Sequence, residues 1–467
     1  MALTDTRSRL SSVRRPRALL AAAALSLPLV AARPSRAQQA PPPPIIYIDA
    51  SAQRFAVPDC IPKRADDASR EACRVFTQVL RDDLKFEGLF QFVPESLFSA
   101  IAALDPDRPK FEDWKSIGTN ILVVTRADVA PGGKPGDPVE MNVEARVHAV
   151  DSGQAMLTKR YAGKADNPRM FAHQLSDDIM TLTAYKGVAR TRIAFTSDRT
   201  STKGKVSKEL FIVDYDGYNP RQVTVNGSLN ILPAWRPDGQ ALAYVSYRQE
   251  RSPLIFLAEI FLGRSAGNIT GERTSGEKAS QAFAPAWSPD GKRVAFATNR
   301  SGNMEIYVAN ADGSDVRRLT NSSAADTAPC WSPTGTEIAF TSNRTGVPQL
   351  WVMDNEGLNV RRLTTLGNYN DACTWNPSRQ YSEIAYTSRI EGGFEIAIMD
   401  IASRSVRQIT EGRGSCEYPS WAPNGRHLVF SCNRGGTWQL TVADREGRQM
   451  NALGAGPGNN VQPDWGP

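Results

Sequence analysis

The sequence has 467 residues, too many for one compact core, so at least two domains are expected. Hydrophobic residues make up 41% and charged residues 22%, as in a soluble globular protein. The net charge of +6 suggests a nucleic-acid or membrane binder. However, residues 1–37 read as an export signal with seven arginines and one aspartate, and their removal leaves 48 basic and 48 acidic residues. The mature chain is therefore neutral, which removes the electrostatic argument for nucleic acid.

The N-terminus has the three parts of a secretory signal peptide. Arg14, Arg15 and Arg17 precede an apolar run over 18–32, and Ser35-Arg36-Ala37 supplies small residues for cleavage after Ala37. The apolar run is too short to span a bilayer comfortably, so the protein is predicted to be periplasmic and not membrane-spanning. The Arg14-Arg15 pair leaves twin-arginine export open, although the Pro-Arg that follows favours the general secretory route.

Residues 38–186 are predicted to form a small α/β domain. A proline-rich stretch, 38–44, gives it an extended N-terminus. Strands are predicted at 45–50 and 121–129, and a hairpin is predicted to turn at 151–153. Apolar residues at helical spacing predict a helix over 71–84, and Asn167-Pro168 caps a second helix that should run to about Tyr185.

A tryptophan motif recurs six times in the second half of the chain. PAWRPDG at 233–239, PAWSPDG at 285–291 and PCWSPTG at 329–335 are followed by CTWNPS, PSWAPNG and PDWGP. The tryptophans are separated by 52, 44, 44, 46 and 44 residues, with strand-like runs between them. Such a period with four strands per repeat predicts propeller blades. The tryptophan should pack one blade against the next, and Pro-Asp-Gly should form a tight hairpin turn.

The ring is predicted to close with the last strand of the chain. RIAFTSDR at 192–199 is a second-strand motif that no tryptophan motif precedes, and the motif at 463–467 has no second strand after it. Each supplies what the other lacks. The sequence therefore predicts a two-domain protein, with a six-bladed β-propeller over 187–467 that the C-terminal strand closes.

The six cysteines are expected to be in an oxidising compartment, where disulfide bonds can form. Cys60 could pair with Cys73 inside the first domain, Cys416 with Cys432 across a hairpin, and Cys330 with Cys373 between successive repeats. The alternative is that they are small buried apolar residues. No pair has C-x-x-C spacing, so zinc is disfavoured and no cofactor is predicted.

No arrangement of residues indicates catalysis. The three histidines, His148, His173 and His427, are scattered, and each is interpreted as structural. Nucleophile-elbow, zincin, phosphate-loop and dinucleotide motifs are not found in the sequence. Asp-Gly pairs such as those at 216–217 and 312–313 are interpreted as turns between strands. We therefore predict that the protein is not an enzyme.

The residues just before each tryptophan motif are the candidate binding surface. They are expected to be loops that gather at one end of the central channel, where a ring of amides, acids and aromatics suits the capture of a peptide or protein. The alternative is a set of solvated loops. The residues in question are Asn230, Gln281, Phe283, Asp326, Thr327, Asn370, Asp371, Glu417, Tyr418 and Asn460.

The mature chain resembles the TolB family, the periplasmic propeller proteins of the Tol–Pal system in Gram-negative bacteria. The resemblance is carried by KGVARTRIAF at 186–195, ELFIVDYDGYNP at 209–220 and the PAWSPDG repeats. It implies a non-enzymatic scaffold between outer-membrane Pal and the inner-membrane TolA, TolQ and TolR complex. Such a scaffold would support outer-membrane integrity and constriction during cell division.

The resemblance also implies two binding sites. Pal would dock at the channel mouth, on Gln281, Ala284, Asp326, Thr327, Ala328, Asn370, Asp371 and Glu417. The family pattern can carry a His where Gln281 stands and a Glu where Ala328 stands, so the individual contacts differ here. TolA would bind the mature N-terminus over about 38–49, which includes Ile45, Ile46, Tyr47, Ile48 and Asp49.

Two other function classes remain open at this stage. Similar repeats occur in propellers attached to serine peptidases, but these need a hydrolase domain with a nucleophile elbow. A propeller could also bind a small ligand or sugar, or catalyse with carboxylates that line its channel. Recovery of a peptidoglycan-associated lipoprotein from envelope extract would favour the scaffold over both alternatives.

Overall fold

The computed structural model describes residues 53–101, 103–131, 138–248, 252–270, 280–390 and 392–467. The predicted signal peptide with its cleavage site near Ala37, the proline-rich stretch and the predicted strand at 45–50 lie outside the described residues. None of the helices in the described part of the chain is long and apolar enough to cross a membrane.

The first part of the chain folds into helices on one mixed sheet. In spatial order, the path of strands is Gln91–Phe92, Arg54–Ala56, Ile121–Ala130, Glu140–Ala149 and Ala155–Lys164, and Ile61–Pro62 also pairs with Ile121–Ala130. The helices are Asp67–Phe86 (α1), Phe111–Ser116 (α2) and Pro168–Met180 (α3), with a 3₁₀ helix at Glu95–Ala100. The predicted strand at 121–129 and the predicted hairpin that turns at 151–153 are confirmed. Helix α2 and the short strands were not predicted, because they are too short to show a periodic pattern in the sequence.

The two long helices cover one face of this sheet. Asp66 caps α1 by accepting a hydrogen bond from the Ser69 amide at 2.7 Å, and Asn167 caps α3. The prediction that α3 runs to Tyr185 is wrong, because the helix ends at Met180, more than one turn earlier. The hydroxyls of Thr181 and Thr183 bond back to carbonyls three residues earlier, in a series of turns that ends the helix. The core beneath the helices includes Phe76, Leu80, Val123, Val143, Phe171 and Leu175.

The second part of the chain is a six-bladed β-propeller, as predicted, with four antiparallel strands in each blade. We number the blades so that blade 1 contains both ends of the ring. The innermost strands of blades 1 to 6 are Asn460–Trp465, Asn230–Trp235, Ala282–Trp287, Asp326–Trp331, Asn370–Trp375 and Cys416–Trp421. The second strands are Arg192–Ser197, Ala241–Ser246, Arg293–Thr298, Glu337–Ser342, Glu383–Ile390 and His427–Cys432.

The outer half of each blade is less regular. The third strands are Glu209–Asp214, Leu254–Glu259, Glu305–Asn310, Gln349–Asp354, Gly393–Asp400 and Gln439–Asp444. The outermost strands are short: Arg221–Gln222, Arg264–Asn268, Arg317–Arg318, Arg361–Arg362, Val406–Gln408 and Met450–Ala452. Short outer edges leave little unpaired backbone for another chain to join.

The C-terminal strand closes the ring inside blade 1. Asn460 lies opposite Ser197, and Trp465 lies opposite Ile193. The tryptophans also tie neighbouring blades together, since Trp287 donates its indole hydrogen to the Ala234 carbonyl of the preceding blade at 3.1 Å. Trp331 and Trp421 make the equivalent bonds to Ala286 and Thr374. Their predicted packing role is therefore confirmed.

All three cysteine pairs form disulfide bonds: Cys60–Cys73, Cys330–Cys373 and Cys416–Cys432. Cys416 and Cys432 face each other across neighbouring strands of blade 6. Cys330 and Cys373 belong to the innermost strands of blades 4 and 5. This bond therefore links two neighbouring blades covalently beside the channel.

The C-terminal end of α1 packs against blades 6 and 1. Phe86 stacks on His427 with ring centroids 4.4 Å apart, and the buried Glu87 carboxylate pairs with Arg426. The Tyr215 hydroxyl of blade 1 donates to Asp83 at 2.5 Å. His427 and Arg426 follow the turn after a tryptophan, so this contact is on the face where the innermost strands end. The opposite face, where these strands begin, remains clear of it.

Candidate interaction site

Every innermost strand carries the same backbone irregularity. The pairing register shifts within each strand, between positions four and one residues before the tryptophan. The residue three before the tryptophan has a positive φ, between 46° and 58°: Leu232, Ala284, Ala328, Ala372, Tyr418 and Gln462. Such values are uncommon outside glycine, and bulges of this kind redirect side chains. Here all six of these residues line the central channel.

The channel encloses a cavity of about 400 Å³. The innermost strands of all six blades form its walls. Residues more than 200 positions apart in the sequence therefore line the same cavity. Blades 2 to 4 contribute mainly apolar groups, which include Leu232, Phe283, Ala284 and Ala328. Blades 5, 6 and 1 contribute Asp371, Tyr418, Gln462 and Asp464. A cavity of this size with both apolar and polar walls suits a few inserted side chains of a partner.

Four of the eight predicted docking residues line this channel: Ala284, Thr327, Ala328 and Asp371. Glu417 is half-buried beside them and precedes the channel-lining Tyr418. Gln281 lies just before its strand, and its amide donates to the Asn299 side chain at 2.8 Å. The structure thus brings four of the eight predicted residues onto one cavity and places a fifth, Glu417, beside it.

Asp326 and Asn370 are placed differently from the expectation. Both are buried at the start of their strands, where Asp326 pairs with Arg344 at 2.7 Å. Asn370 hydrogen-bonds Gln349 at 3.1 Å and Ser388 at 2.8 Å. Their side chains stabilise the blade, so we correct the expectation that they face the channel.

The expectation of loops just before each tryptophan motif is also wrong, because these residues belong to strands. All six innermost strands begin at the position five residues before the tryptophan. In five of them the backbone amide of that residue donates a hydrogen bond to a carbonyl of the preceding blade. Asn230 donates to Lys208 at 2.8 Å, Asp326 to Met304 at 2.9 Å and Asn370 to Pro348 at 3.0 Å. These bonds fix the first residue of five of the six strands. The channel mouth is therefore a rigid, preformed surface, which lowers the ordering cost of binding.

Carboxylates of three blades give the channel its electrostatic character. Asp371 accepts hydrogen bonds from the Thr341 hydroxyl at 2.7 Å and the Tyr369 hydroxyl at 3.0 Å. Asp464 accepts from the Trp235 amide at 2.6 Å and Ser420 at 3.0 Å, and burial raises its pKa to about 6. Burial, together with the nearby charge of Asp371, raises the pKa of Glu417.

Leu232, Gln462 and Asp464 are channel residues that the sequence reasoning missed. They stand at the same distances from their tryptophans as residues of the neighbouring repeats, so the repeat alignment alone could have found them. The predicted TolA-binding residues Ile45, Ile46, Tyr47, Ile48 and Asp49 lie outside the described residues. Within the described ranges, no group of three or more His, Cys, Asp or Glu side chains is arranged to hold a metal ion.

A propeller with a preformed channel mouth and a small α/β domain behind it defines a class of two-domain β-propeller proteins. The sequence matches the TolB beta propeller domain over residues 179–467 and the TolB amino-terminal domain over residues 45–156. Because the first match covers more than half of the chain, the chain belongs to the TolB family.

Individual relatives agree with this assignment. The chain is 36% identical over 393 residues to the Tol-Pal system protein TolB of Ruthia magnifica subsp. Calyptogena magnifica, covering 84% of this chain and 88% of that one. It is 32% identical to the Tol-Pal system protein TolB of Desulfosudis oleivorans over 54% of each chain, so the match spans about half of that relative. The crystal structure of TolB from Acinetobacter baumannii superposes with a TM-score of 0.72 at 27% identity, over 89% of this chain and 97% of that one.

Proposed function

We propose that this protein is a non-catalytic periplasmic scaffold of the Tol–Pal system. It binds the outer-membrane lipoprotein Pal at the channel mouth and TolA through the mature N-terminus at 38–49. Through TolA it is connected to the TolQ and TolR inner-membrane complex, and it supports outer-membrane integrity and constriction during division. Cleavage near Ala37 and domain boundaries at 186 and 187 belong to the same proposal.

The observation that carries this proposal is the channel mouth itself. Hydrogen bonds between neighbouring blades fix its backbone, and side chains of six strands line its cavity. Helix α1 packs on the other face of the propeller. The relatives' names place those proteins in the Tol–Pal system, which supports Pal as the partner here. A rigid concave surface with mixed polar and apolar walls is the usual form of a protein-docking site.

A single substitution at the mouth tests the Pal site. Thr327→Trp places a large side chain in the cavity, so we expect the affinity for the soluble domain of the organism's Pal to fall at least tenfold, as measured by isothermal titration calorimetry. The matched control is Thr336→Trp, at an exposed threonine of the same blade beside the turn on the opposite face. Binding that is unchanged in Thr327→Trp would contradict the site.

The same titration with TolA tests the second site. Deletion of residues 38–49 is expected to abolish TolA binding and to leave both Pal binding and the melting temperature unchanged. Retained TolA binding would refute this part of the proposal.

A further inference from the structure

The two halves of the channel wall differ in chemistry. Leu232, Phe283, Ala284 and Ala328 make the half formed by blades 2 to 4 apolar. The other half carries the carboxylates of Asp371 and Asp464 on its wall, and Glu417 stands next to it. An inserted group would therefore meet apolar side chains on one side and acids on the other.

The acids of this half have no cation beside them. Among the described residues that line the cavity there is no Lys, Arg or His. Both carboxylate oxygens of Asp371 accept from hydroxyls, and the Glu417 side chain makes no hydrogen bond or ion pair within the described part of the chain. Negative charge thus remains uncompensated at the mouth.

Several fully buried carboxylates elsewhere in the propeller are paired with arginine, whereas Glu209 accepts from the backbone amides of Asn226 and Gly227. Asp326 pairs with Arg344 at 2.7 Å, and Glu395 pairs with Arg434 at 2.9 Å. Glu383 is held by two arginines, Arg407 and Arg445, each at 2.7 Å. The carboxylates at the channel mouth depart from this pattern, and a partner could supply the missing cation.

We propose that the channel mouth selects a partner segment with a Lys or Arg side chain beside an aliphatic or aromatic one. The basic group would lie between Asp371 and Glu417, and its apolar neighbour would pack on Leu232 and Phe283. This inference rests on the proposed function, since it names the chemistry of the segment that the Pal site accepts. A polypeptide fits better than a free metal ion because half of the wall is apolar and, among the residues that the structure describes, no three His, Cys, Asp or Glu side chains are grouped to hold a metal ion.

The test compares charge and apolar variants against the soluble domain of Pal. At 50 mM NaCl, the double variant Asp371→Asn, Glu417→Gln should bind at least tenfold more weakly, and its affinity should no longer depend on salt between 50 and 500 mM. Phe283→Ala should weaken binding by a similar factor at every salt concentration, because it removes only apolar contact. The control Glu112→Gln neutralises an exposed acid of α2 and should match the unmodified protein.

The outcomes separate this inference from the proposed function. If Thr327→Trp blocks Pal while the charge variant keeps both its affinity and its salt dependence, the inference fails and the proposed function stands. If Thr327→Trp binds normally, the docking site itself is wrong. Loss of Pal binding by the unmodified protein in a chelator would indicate a bridging metal ion and would also overturn the inference.

A partner-independent arm uses capped Leu-Lys-Leu and Leu-Gln-Leu peptides. In ligand-observed NMR at millimolar concentration, the lysine peptide should bind several-fold more tightly, and the difference should vanish in the charge variant. Equal binding of the two peptides to the unmodified protein would contradict the inference.

Discussion

At the residue scale, the period of the repeat located the channel but not the direction of each side chain. Ala284 and Ala328 were predicted at the mouth and line it. Asp326 stands one residue before the channel-lining Thr327 and is buried instead. These two residues are consecutive in the regularly paired part of the strand, so their side chains point in opposite directions. The bulge that follows depends on a positive φ at residues such as Ala328 that have no glycine signal, so a pattern of residue types cannot show it.

The half-buried carboxylate of Asp464 leads to a pH prediction at this scale. Its pKa is raised from 3.8 to about 6, so the folded state binds the proton more tightly than the unfolded state. The stability from this group is complete below about pH 4 and is lost as the pH rises through 6. In Asp464→Asn the loss should be absent, because the amide oxygen still accepts a hydrogen bond and carries no charge.

Urea unfolding of the two proteins at pH 4 and pH 7 measures this effect. As the pH rises from 4 to 7, the free energy of unfolding of the variant should increase relative to that of the unmodified protein by at most about 3 kcal/mol. An equal difference at both pH values would show that the Asp464 carboxylate titrates normally. Because the comparison is between two proteins, the titration of other shared groups cancels.

At the element scale, the innermost strand is the unit that both builds the fold and forms the site. The sequence predicted its tryptophan, its turn and its place in the order of strands. Its first residues were expected to form a loop. The structure uses them instead for bonds between blades, such as that from the Asn370 amide to Pro348. These long-range bonds have no local sequence signal.

The disulfide between the innermost strands of blades 4 and 5 can be tested with residues taken from other blades. Position 373 is proline in the other five repeats, and position 330 is alanine in blades 2 and 3. Cys330→Ala with Cys373→Pro should lower the free energy of unfolding by about 2 kcal/mol, because the unfolded chain loses a cross-link. Cys330→Ala with Cys373→Ala should cost more, since proline also restricts the unfolded chain.

Denaturant unfolding under oxidising and reducing conditions distinguishes the contributions. In the reducing buffer, the proline variant should be at least as stable as the parent protein. A proline variant that is less stable than the alanine variant would show that the backbone of blade 5 does not follow the other repeats at this position.

At the scale of the whole molecule, the first domain contacts one face of the propeller and the channel mouth opens on the other. Phe86, Glu87 and Asp83 of α1 attach the first domain to blades 6 and 1 on one face. The channel mouth opens on the other face. Ring closure by the last strand was predictable, because each end of the repeat array lacked what the other end supplied. The packing between the domains was not predictable, since it joins residues more than 300 positions apart through buried polar groups.

The central claim is that Pal binds the channel mouth, and hydrogen–deuterium exchange of the complex tests it most directly. With the soluble domain of Pal bound, we expect added protection in the channel-mouth strands, above all in residues 281–287, 326–331, 370–375 and 416–421. Peptides from α1 and from the outermost strands should exchange as in the free protein. Protection confined to the first domain or to the outer strands, with the channel strands unchanged, would contradict the account.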